Sequence, residues 1–515
     1  MNSLLGQLTR GDLEAMLKKA ADLIRTRVDY RFILVLLFLK HVSDKWEKEY
    51  EEVRLRRLKD GFTPEEASQE AKNPVYHSFD LPEVCLWKNM RGDPSHLPER
   101  LSDALKALGE KNPDFMQVVE SVDIAQFTSN RENSEVLRQL VELFSQRDLA
   151  EASPDVLGDA YEWILRYFAP TKAKEGEVFT PREIIDLLVR LVDPKPGESV
   201  YDPACGSAGM LIGAFRAVKE RSGDEAEKLF LYGQEINLNL VAIAKMNAYL
   251  HGIENAHIEQ GDSLLYPKFK EGGVPMKFDV VLANPPWNQD GYGEDTLKKG
   301  DLPNQRFTYG FPPNSTADWA WVQHMLFSAK EGGRVGLVID NGALFRGNAE
   351  RYVREKVVKD DLVECVILTA EKLFYNTGAP GALLIFRKGK PEERRGKVLF
   401  INASEEYEKH PEVRKLNRLG EKNVRRIAET YAAFREEEGF SRAVSIEEIA
   451  KNDYSLNVSL YVAPKEEGER IDVVKEFEEV KELERQRQEL LKKIEEYVAE
   501  VRKAYERADD VLQGD

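Results

Sequence analysis

Apolar residues recur at helical spacing through the first third of the chain. The run from Leu34 to Leu39 is apolar on nearly every side, so the helix that carries it must be buried. Strand signals are few before Phe168. The pattern predicts an all-helical N-terminal domain over residues 1–168. One amphipathic face precedes the apolar run and consists of Leu13, Met16, Leu17, Ala20, Leu23 and Ile24.

After residue 168, short apolar runs alternate with amphipathic helical segments, a pattern typical of a doubly wound parallel sheet. The short connection before Ala382 suits an antiparallel hairpin. We therefore predict an α/β, Rossmann-like domain over residues 169–404. Its strands are expected at 199–202, 229–235, 257–263, 278–283, 334–339, 362–368, 382–387 and 398–401, with helices at 319–329 and 349–358.

The remaining residues divide into two segments. Residues 405–465 are predicted as a mixed connecting region, and residues 466–515 as a C-terminal helical segment whose apolar stripe is interrupted by Glu484 and Arg487. Because sustained heptads specify a coiled coil, a continuous one is not assured. We expect one long helix, or two, docking against a partner; a helix folded back on its own domain is the alternative. The stripe consists of Val473, Phe477, Val480, Leu491, Ile494, Val498 and Val501.

Composition limits the class of protein. With 515 residues, of which 42% are hydrophobic and 32% charged, the chain is long enough for two or three domains. Cys85, Cys205 and Cys365 are too widely spaced for a disulfide or metal pattern, which favours a reducing cytoplasm. The longest apolar run, Phe32 to Leu39, is too short to cross a bilayer. The histidines form no zinc-type cluster in the sequence, and no phosphate-loop motif of an ATP motor occurs.

The strongest chemical signal is the tetrapeptide Asn284, Pro285, Pro286 and Trp287, which follows an apolar strand. The amino group of a nucleobase is a poor nucleophile because its lone pair is delocalised into the ring, so methylation requires acceptors for its N–H bonds. The amide oxygen of Asn284 is one acceptor, and the Pro285 carbonyl in a rigid turn is the second. Trp287 offers a flat face for an extruded base, a contact worth about 1 to 3 kcal/mol. An ordinary turn that closes a strand is the alternative.

A cofactor loop is predicted upstream of the tetrapeptide. A short strand ends in Asp202 and leads through Gly206, Ser207, Ala208 and Gly209 into a helix. Glycines let the backbone approach a ligand, and the helix N-terminus presents unpaired N–H groups. The spacing differs from the dinucleotide fingerprint. Asp202 suits the ammonium of a methionine-like group better than a phosphate, which it would repel.

Two further carboxylates end the next two predicted strands. Glu235 occupies the usual position of a carboxylate that binds both ribose hydroxyls. Asp262 follows it and is placed to accept from the exocyclic amine of an adenine ring. Each residue alone is more often a solvated strand end or helix cap. Their order along the chain, between the glycine loop and the tetrapeptide, indicates one cofactor site.

These motifs resemble those of the S-adenosylmethionine-dependent N6-adenine DNA methyltransferases and, more narrowly, the modification subunit of type I restriction-modification systems. The runs Tyr30 to Asp44 and Tyr454 to Val462 also resemble that subunit. The resemblance implies a methyltransferase sheet over residues 169–404 and S-adenosylmethionine as cofactor. It also implies that a Phe-Thr-Pro element contacts the methionine end, and that the loop over residues 170–176 closes over the cofactor. This element comprises Glu177, Val178, Phe179, Thr180, Pro181 and Arg182.

The net charge of −17 affects how the chain meets DNA. An acidic protein gains no long-range attraction to a polyanion, so we expect DNA binding through a complex. The resemblance implies a specificity subunit and a second copy of this subunit as partners, and it leaves an ATP-dependent restriction subunit open. The long polar loop over residues 288–315 is expected to cover the flipped base or to contact DNA through Lys298, Lys299 and Arg306. An ordinary surface loop is the alternative.

The predicted reaction is direct transfer of the sulfonium methyl to N6 of an adenine extruded from the duplex. Catalysis then rests on alignment and polarisation and needs no metal. N4-cytosine methylation poses the same chemical problem, but family members that act on cytosine usually carry Ser in place of Asn284. Two further functions stay open: methylation of a protein glutamine, as by enzymes with a similar Asn-Pro-Pro-Tyr, and a non-catalytic scaffold.

Overall fold

The computed structural model describes residues 8–24, 29–172, 179–375, 377–411, 413–463 and 473–512. The chain forms two compact units, Met1–Pro464 and Lys465–Asp515, and each is described by itself. No helix in these described ranges is long and apolar enough to cross a membrane.

The N-terminal part of the first unit is helical, as the apolar spacing predicts. The run from Leu34 to Leu39 is fully buried in the second helix. Phe38 belongs to a core that also contains Ile243 and Met246, so the helical layer packs on the domain that follows it. The helices are α1 (Arg10–Ile24), α2 (Arg31–Lys59), α3 (Pro64–Glu70), α4 (Trp87–Arg91), α5 (Leu97–Lys111), α6 (Met116–Glu120), α7 (Ile124–Phe127), α8 (Arg131–Phe144) and α9 (Pro154–Lys172).

A mixed sheet forms the centre of the first unit. The strands are β1 (Ser199–Asp202), β2 (Phe230–Glu235), β3 (Ala256–Gln260), β4 (Lys270–Glu271), β5 (Val274–Pro275), β6 (Phe278–Ala283), β7 (Ala329–Asp340), β8 (Val363–Leu368), β9 (Gly381–Arg387), β10 (Lys397–Asn402), β11 (Glu408–Lys409), β12 (Asn417–Arg418) and β13 (Ser441–Ser445). The main sheet has the order β13, β10, β8, β9, β7, β6, β1, β2, β3, while β4 with β5 and β11 with β12 form separate pairs.

Strand direction brings the predicted site residues to one edge of the sheet. β1 pairs in parallel with β2 and with β6, and β2 pairs in parallel with β3. The carboxyl ends of these strands therefore meet at the same edge, where ligands bind in open α/β sheets. β9 runs antiparallel to both β7 and β8, which confirms the antiparallel hairpin predicted before Ala382.

Helices cover both faces of the sheet, as the alternating pattern predicts. Val200 packs with the helices over residues 182–192 and 209–222 on one face, and its neighbour Tyr201 packs with those over residues 318–328 and 348–359 on the other. The predicted helices at 319–329 and 349–358 are α15 and α16. The remaining helices are α10 (Arg182–Val192), α11 (Gly209–Ser222), α12 (Leu238–Leu250), α13 (Glu294–Leu297), α14 (Pro303–Arg306), α15 (Asp318–Ser328), α16 (Asn348–Lys359), α17 (Glu421–Ala432), α18 (Ile446–Lys451) and α19 (Val473–Leu512).

The sheet continues beyond residue 404, into the segment predicted as a connecting region. β13 pairs antiparallel with β10 and completes the edge of the sheet. Leu456 and Val458 are buried in the same core as β7 and α16. The described residues of this segment, 405–411 and 413–463, thus extend the α/β domain, because their apolar side chains cover a face that would otherwise be exposed.

The described residues of the second unit, 473–512, form one long helix, α19, rather than two. Phe477, Val480, Ile494 and Val498 of the predicted stripe are exposed on it. Whether this helix docks against a partner stays a prediction.

Candidate active site

Two neighbouring cavities lie at the carboxyl edge of the sheet. The first is bordered by α9, α10 and α11, and the second lies beyond the ends of β2 and β3. Both are lined by Ala204 and Gly206 of the glycine loop and by Asn284 of the tetrapeptide. The second cavity has a volume of about 330 Å³. Asn284 therefore lies where the two cavities meet.

The glycine loop exposes its backbone to both cavities. Gly206 has a φ of +51°, and no described atom lies within 4 Å of the position that a Cβ would occupy. Gly209 serves packing instead, since a Cβ there would lie 2.9 Å from Cδ1 of Ile185. Ser207 lines the first cavity. Ala208 is fully buried in the left-handed conformation that begins α11.

Asp202 presents a buried carboxylate to the first cavity. It is 1% exposed, and its Oδ1 accepts from the backbone N–H of Ala204 at 3.0 Å. Burial raises the pKa of Asp202 to about 8. Asn247 of α12 lines the same cavity, and its buried Oδ1 has no hydrogen-bond partner among the described residues. A buried carboxyl group and an unpaired amide oxygen that line one cavity fit a cationic N–H donor.

Glu235 and Asp262 line the second cavity. Backbone N–H groups orient Glu235, because Oε2 accepts from Gly206 at 3.0 Å and Oε1 from Asn237 at 2.9 Å. Burial raises its pKa. Asp262 Oδ1 accepts from the N–H of Leu265 at 3.1 Å. Each carboxylate keeps lone pairs for a ligand that carries hydroxyl or amino groups.

The Phe-Thr-Pro element closes the first cavity. Phe179, Thr180 and Arg182 line it, and Pro181 is buried at the start of α10. The Asn284 amide Nδ2 donates to Thr180 Oγ1 at 2.9 Å, so this element orients the tetrapeptide. The remaining predicted members, Glu177 and Val178, lie outside the described residues, as does most of the 170–176 loop.

An ion network holds Arg182 in place. Asp159 of α9 accepts from Nη1 of Arg182, Arg216 and Arg10, each at 3.0 Å. Burial alone would raise the pKa of Asp159, but the three guanidinium groups lower it below its usual value. Because Arg216 also lines the first cavity, Asp159 fixes two of the cavity's cations from the helical layer.

The same network contains a group with the spacing of metal ligands. Single ligand atoms of Asp159, Glu162 and His251 lie within 4.8 Å of one another. Asp159 is already neutralised by three guanidinium groups, whose charge opposes a bound cation. We therefore assign no metal to this cluster.

The tetrapeptide is tightly packed. Trp287 Nε1 donates to Asn284 Oδ1 at 3.0 Å, and the Trp287 ring meets Phe374 edge to face with centroids 4.9 Å apart. Pro285 is buried, and Pro286 is exposed and lines the second cavity. The expected acceptor oxygen of Asn284 is thus already engaged by an indole N–H.

The structure corrects one expectation for the polar loop over residues 288–315. Lys298 and Lys299 are exposed, but Arg306 is only 1% exposed and cannot reach DNA. Its guanidinium donates to the carbonyls of Ser263, Leu264 and Asp301. A buried arginine is retained here because several carbonyls share its charge.

Several site residues escaped the sequence analysis. Asn247, Tyr292, Trp321 and Phe374 contact the predicted residues or line the cavities beside them. In the sequence, Tyr292 stands out only weakly as a site residue, because it is an aromatic residue in a polar loop. Asn247 does not stand out, because its position in α12 becomes meaningful only when that helix packs beside the glycine loop.

Comparisons with known proteins identify the family of the chain. The N-6 DNA Methylase family matches residues 152–470, and the HsdM N-terminal domain matches residues 13–144. The type I restriction enzyme MjaVII methylase subunit of Methanocaldococcus jannaschii is 46% identical, over 96% of this chain and 85% of that protein. The MjaVIII methylase subunit of the same organism is 43% identical, with the same shares covered.

A solved structure extends the similarity to the fold. The crystal structure of the type I restriction-modification system methyltransferase subunit from Streptococcus thermophilus is 25% identical, with a TM-score of 0.77, and the match covers 88% of this chain and all of that one. The chain belongs to the N-6 DNA methylase family, as the adenine-specific methyltransferase subunit of a type I restriction-modification system.

Proposed function

We propose that the two cavities together bind S-adenosylmethionine, with its methionine end in the first and its adenosine in the second. Asp202 and the free oxygen of Asn247 would accept from the ammonium group. Glu235 would hold the ribose hydroxyls, and Asp262 the adenine amine. These residues fit the polar groups of the cofactor because each proposed acceptor is buried or half-buried and can accept further hydrogen bonds.

The remaining residues of the proposed site shape it. Phe179, Thr180 and Pro181 would close the methionine end, with Arg182 held beside them by Asp159. Gly206, Ser207, Ala208 and Gly209 would supply the close backbone approach and the start of α11. The apolar residues Ile236 and Trp321 would flank the adenine ring.

The chain's own residues would promote methyl transfer by position and polarity. The bound cofactor supplies an electrophilic methyl group on a sulfonium centre. Asn284, oriented by Thr180, accepts from the amino group of the target adenine, and the Pro285 carbonyl accepts from its second N–H. As the nitrogen gains the methyl group it becomes positively charged, and both acceptors stabilise that charge more than they stabilise the neutral base. The nitrogen then loses one of its protons to water, which gives the neutral methylated base. Trp287 would stack on the extruded base, with Pro286 forming the adjoining wall.

DNA would bind to a complex of this subunit with its partners. The net charge of −17 opposes binding of DNA by this subunit alone. We propose assembly with a sequence-specificity subunit and a second copy of this chain, with α19 as a docking element because its apolar side chains are exposed. With three free cysteines and DNA as substrate, the proposed setting is the cytoplasm.

The observation that carries the proposal is the position of Asn284 at the junction of both cavities. The test is Asn284→Ala in the assembled complex, with radiolabelled S-adenosylmethionine and digestion of the DNA to nucleosides. We expect N6-methyladenine from the wild type, none from the variant, and an affinity for S-adenosylhomocysteine within about threefold of wild type. Asn423→Ala, at a helix N-terminus and lining neither cavity, is the matched control. Transfer by Asn284→Ala at the native rate would overturn the assignment.

A further inference from the structure

Asp262 is paired with a tyrosine from the loop that follows the tetrapeptide. Tyr292 Oη donates to Asp262 Oδ2 at 2.7 Å, and Tyr292 lines the second cavity beside it. The other carboxylate oxygen accepts from the N–H of Leu265 at 3.1 Å. The two donors fix the plane of the carboxylate and leave lone pairs on both oxygens.

The tyrosine remains a donor under all ordinary conditions. Burial, followed by the hydrogen bond to Asp262 and its negative charge, raises the pKa of Tyr292 well above its usual value. The phenol therefore stays protonated and keeps donating to Asp262, whose carboxylate oxygens accept hydrogen bonds and so suit an amino group rather than a carbonyl.

The backbone of Tyr292 is held at both sides. Gly291 N donates to the Asn314 carbonyl at 2.8 Å, and Gly293 N to Asn314 Oδ1 at 3.2 Å. Closer to the tetrapeptide, Asn288 N donates to Asp318 Oδ1 at 3.1 Å. One anchored stretch, residues 284–293, thus joins the amide that faces the target base to the tyrosine that faces Asp262.

We infer that Tyr292 is a positioning residue: it sets Asp262 for the exocyclic amine of the cofactor's adenine and couples that subsite to the loop beside the target base. The inference rests on the proposed cofactor site. DNA that holds a base beside residues 284–293 would keep Tyr292 in place on Asp262, so DNA bound to the complex should strengthen cofactor binding, and by reciprocity the cofactor should strengthen DNA binding to the same extent.

The test compares two cofactor products that differ at one group. S-adenosylhomocysteine carries the exocyclic amine from which Asp262 would accept a hydrogen bond. S-inosylhomocysteine carries a carbonyl in place of that amine. Calorimetry on the assembled complex should show that the wild type prefers the adenosyl compound. In Tyr292→Phe we expect that preference to fall by about 3- to 10-fold, chiefly through weaker binding of the adenosyl compound. The strengthening of cofactor binding by DNA should fall with it.

Tyr309→Phe is a matched control. Tyr309 lies in the same loop and donates to Asp360 Oδ2 at 2.8 Å, but it lines neither cavity. This variant should keep the wild-type preference for the adenosyl compound and the wild-type strengthening of cofactor binding by DNA. If a folded Tyr292→Phe complex kept the wild-type preference for the adenosyl compound, the role of Tyr292 would be overturned and the proposed function would stand. Failure of the wild type to bind either compound would instead overturn the proposed function.

Discussion

Trp287 donates its indole N–H to the amide oxygen of Asn284 at 3.0 Å, three residues back along the chain. The contact satisfies the very atom that is expected to accept from the target base. A base that enters must share this oxygen with the indole or displace it. The edge-to-face packing of Trp287 on Phe374 holds the indole in this position.

The indole N–H and the aromatic face of Trp287 can be separated by substitution. Trp287→Phe removes the donor and keeps a ring for stacking, so we expect methylation near the wild-type rate. Trp287→Ala removes both, and its single-turnover rate should fall by about 10-fold or more, because base stacking contributes about 1 to 3 kcal/mol. Equal losses in both variants would show that the hydrogen bond, rather than the ring, is what matters. Binding of S-adenosylhomocysteine serves as the control.

Cofactor binding should depend on pH through Asp202. Since burial raises the pKa of Asp202 to about 8, the carboxyl is mostly protonated near neutral pH in the free protein. Pairing with an ammonium requires the carboxylate, so binding should release a proton. We expect the affinity for S-adenosylhomocysteine to increase from about pH 6 to about pH 8. Calorimetry in buffers of different ionisation enthalpy measures the proton, and a heat that does not vary with buffer would contradict the prediction.

The same pKa has a consequence for stability. The raised pKa favours the neutral carboxyl in the folded state. The stabilisation from Asp202 is therefore complete below its unfolded pKa and is lost as the pH rises through about 8. A bound ammonium group would reverse this loss, so the cofactor product should stabilise the protein more strongly at the higher pH.

Gly206→Ala should weaken cofactor binding and lower the stability of the fold only by the backbone strain at this position. The added methyl group meets no described atom within 4 Å, so it would clash with a ligand rather than with the protein. The φ of +51° strains an alanine by about 1 to 2 kcal/mol. Gly197→Ala is the matched control, because Gly197 also has a positive φ and open surroundings but lines neither cavity.

Both glycine variants should lose similar stability in urea unfolding. Only Gly206→Ala should lose affinity for S-adenosylhomocysteine, by about 10-fold or more. Native affinity in that variant would remove the glycine loop from the proposed site.

Asp159→Asn tests whether the helical layer supports the cofactor cavity. The substitution leaves Arg10, Arg182 and Arg216 without their shared carboxylate. We expect a loss of about 1 to 3 kcal/mol in the free energy of unfolding and weaker cofactor binding. Asp193→Asn, which disrupts exposed pairs with Lys195 and Arg221, should cost less than about 1 kcal/mol and leave binding unchanged.

Much of the fold followed from the sequence because its signals are local. The apolar run from Leu34 to Leu39, the alternation after residue 168 and the turn before Ala382 predicted the helical layer, the doubly wound sheet and the antiparallel strand. The extension of the sheet by β13 could not be predicted, because a short polar edge strand such as Ser441–Ser445 lacks an apolar run.

Residue chemistry determined the kind of site, and tertiary packing decided which residues line it and which are buried. An amide and prolines after a strand, acidic strand ends and a glycine loop indicated a methyltransferase, since the residue type sets which functional groups a side chain can offer. Contacts between distant segments decided the rest: Arg306 is buried, Asn247 lines the cavity, and Tyr292 meets Asp262. Such contacts depend on the three-dimensional arrangement of strands and helices, which no local pattern of residues encodes.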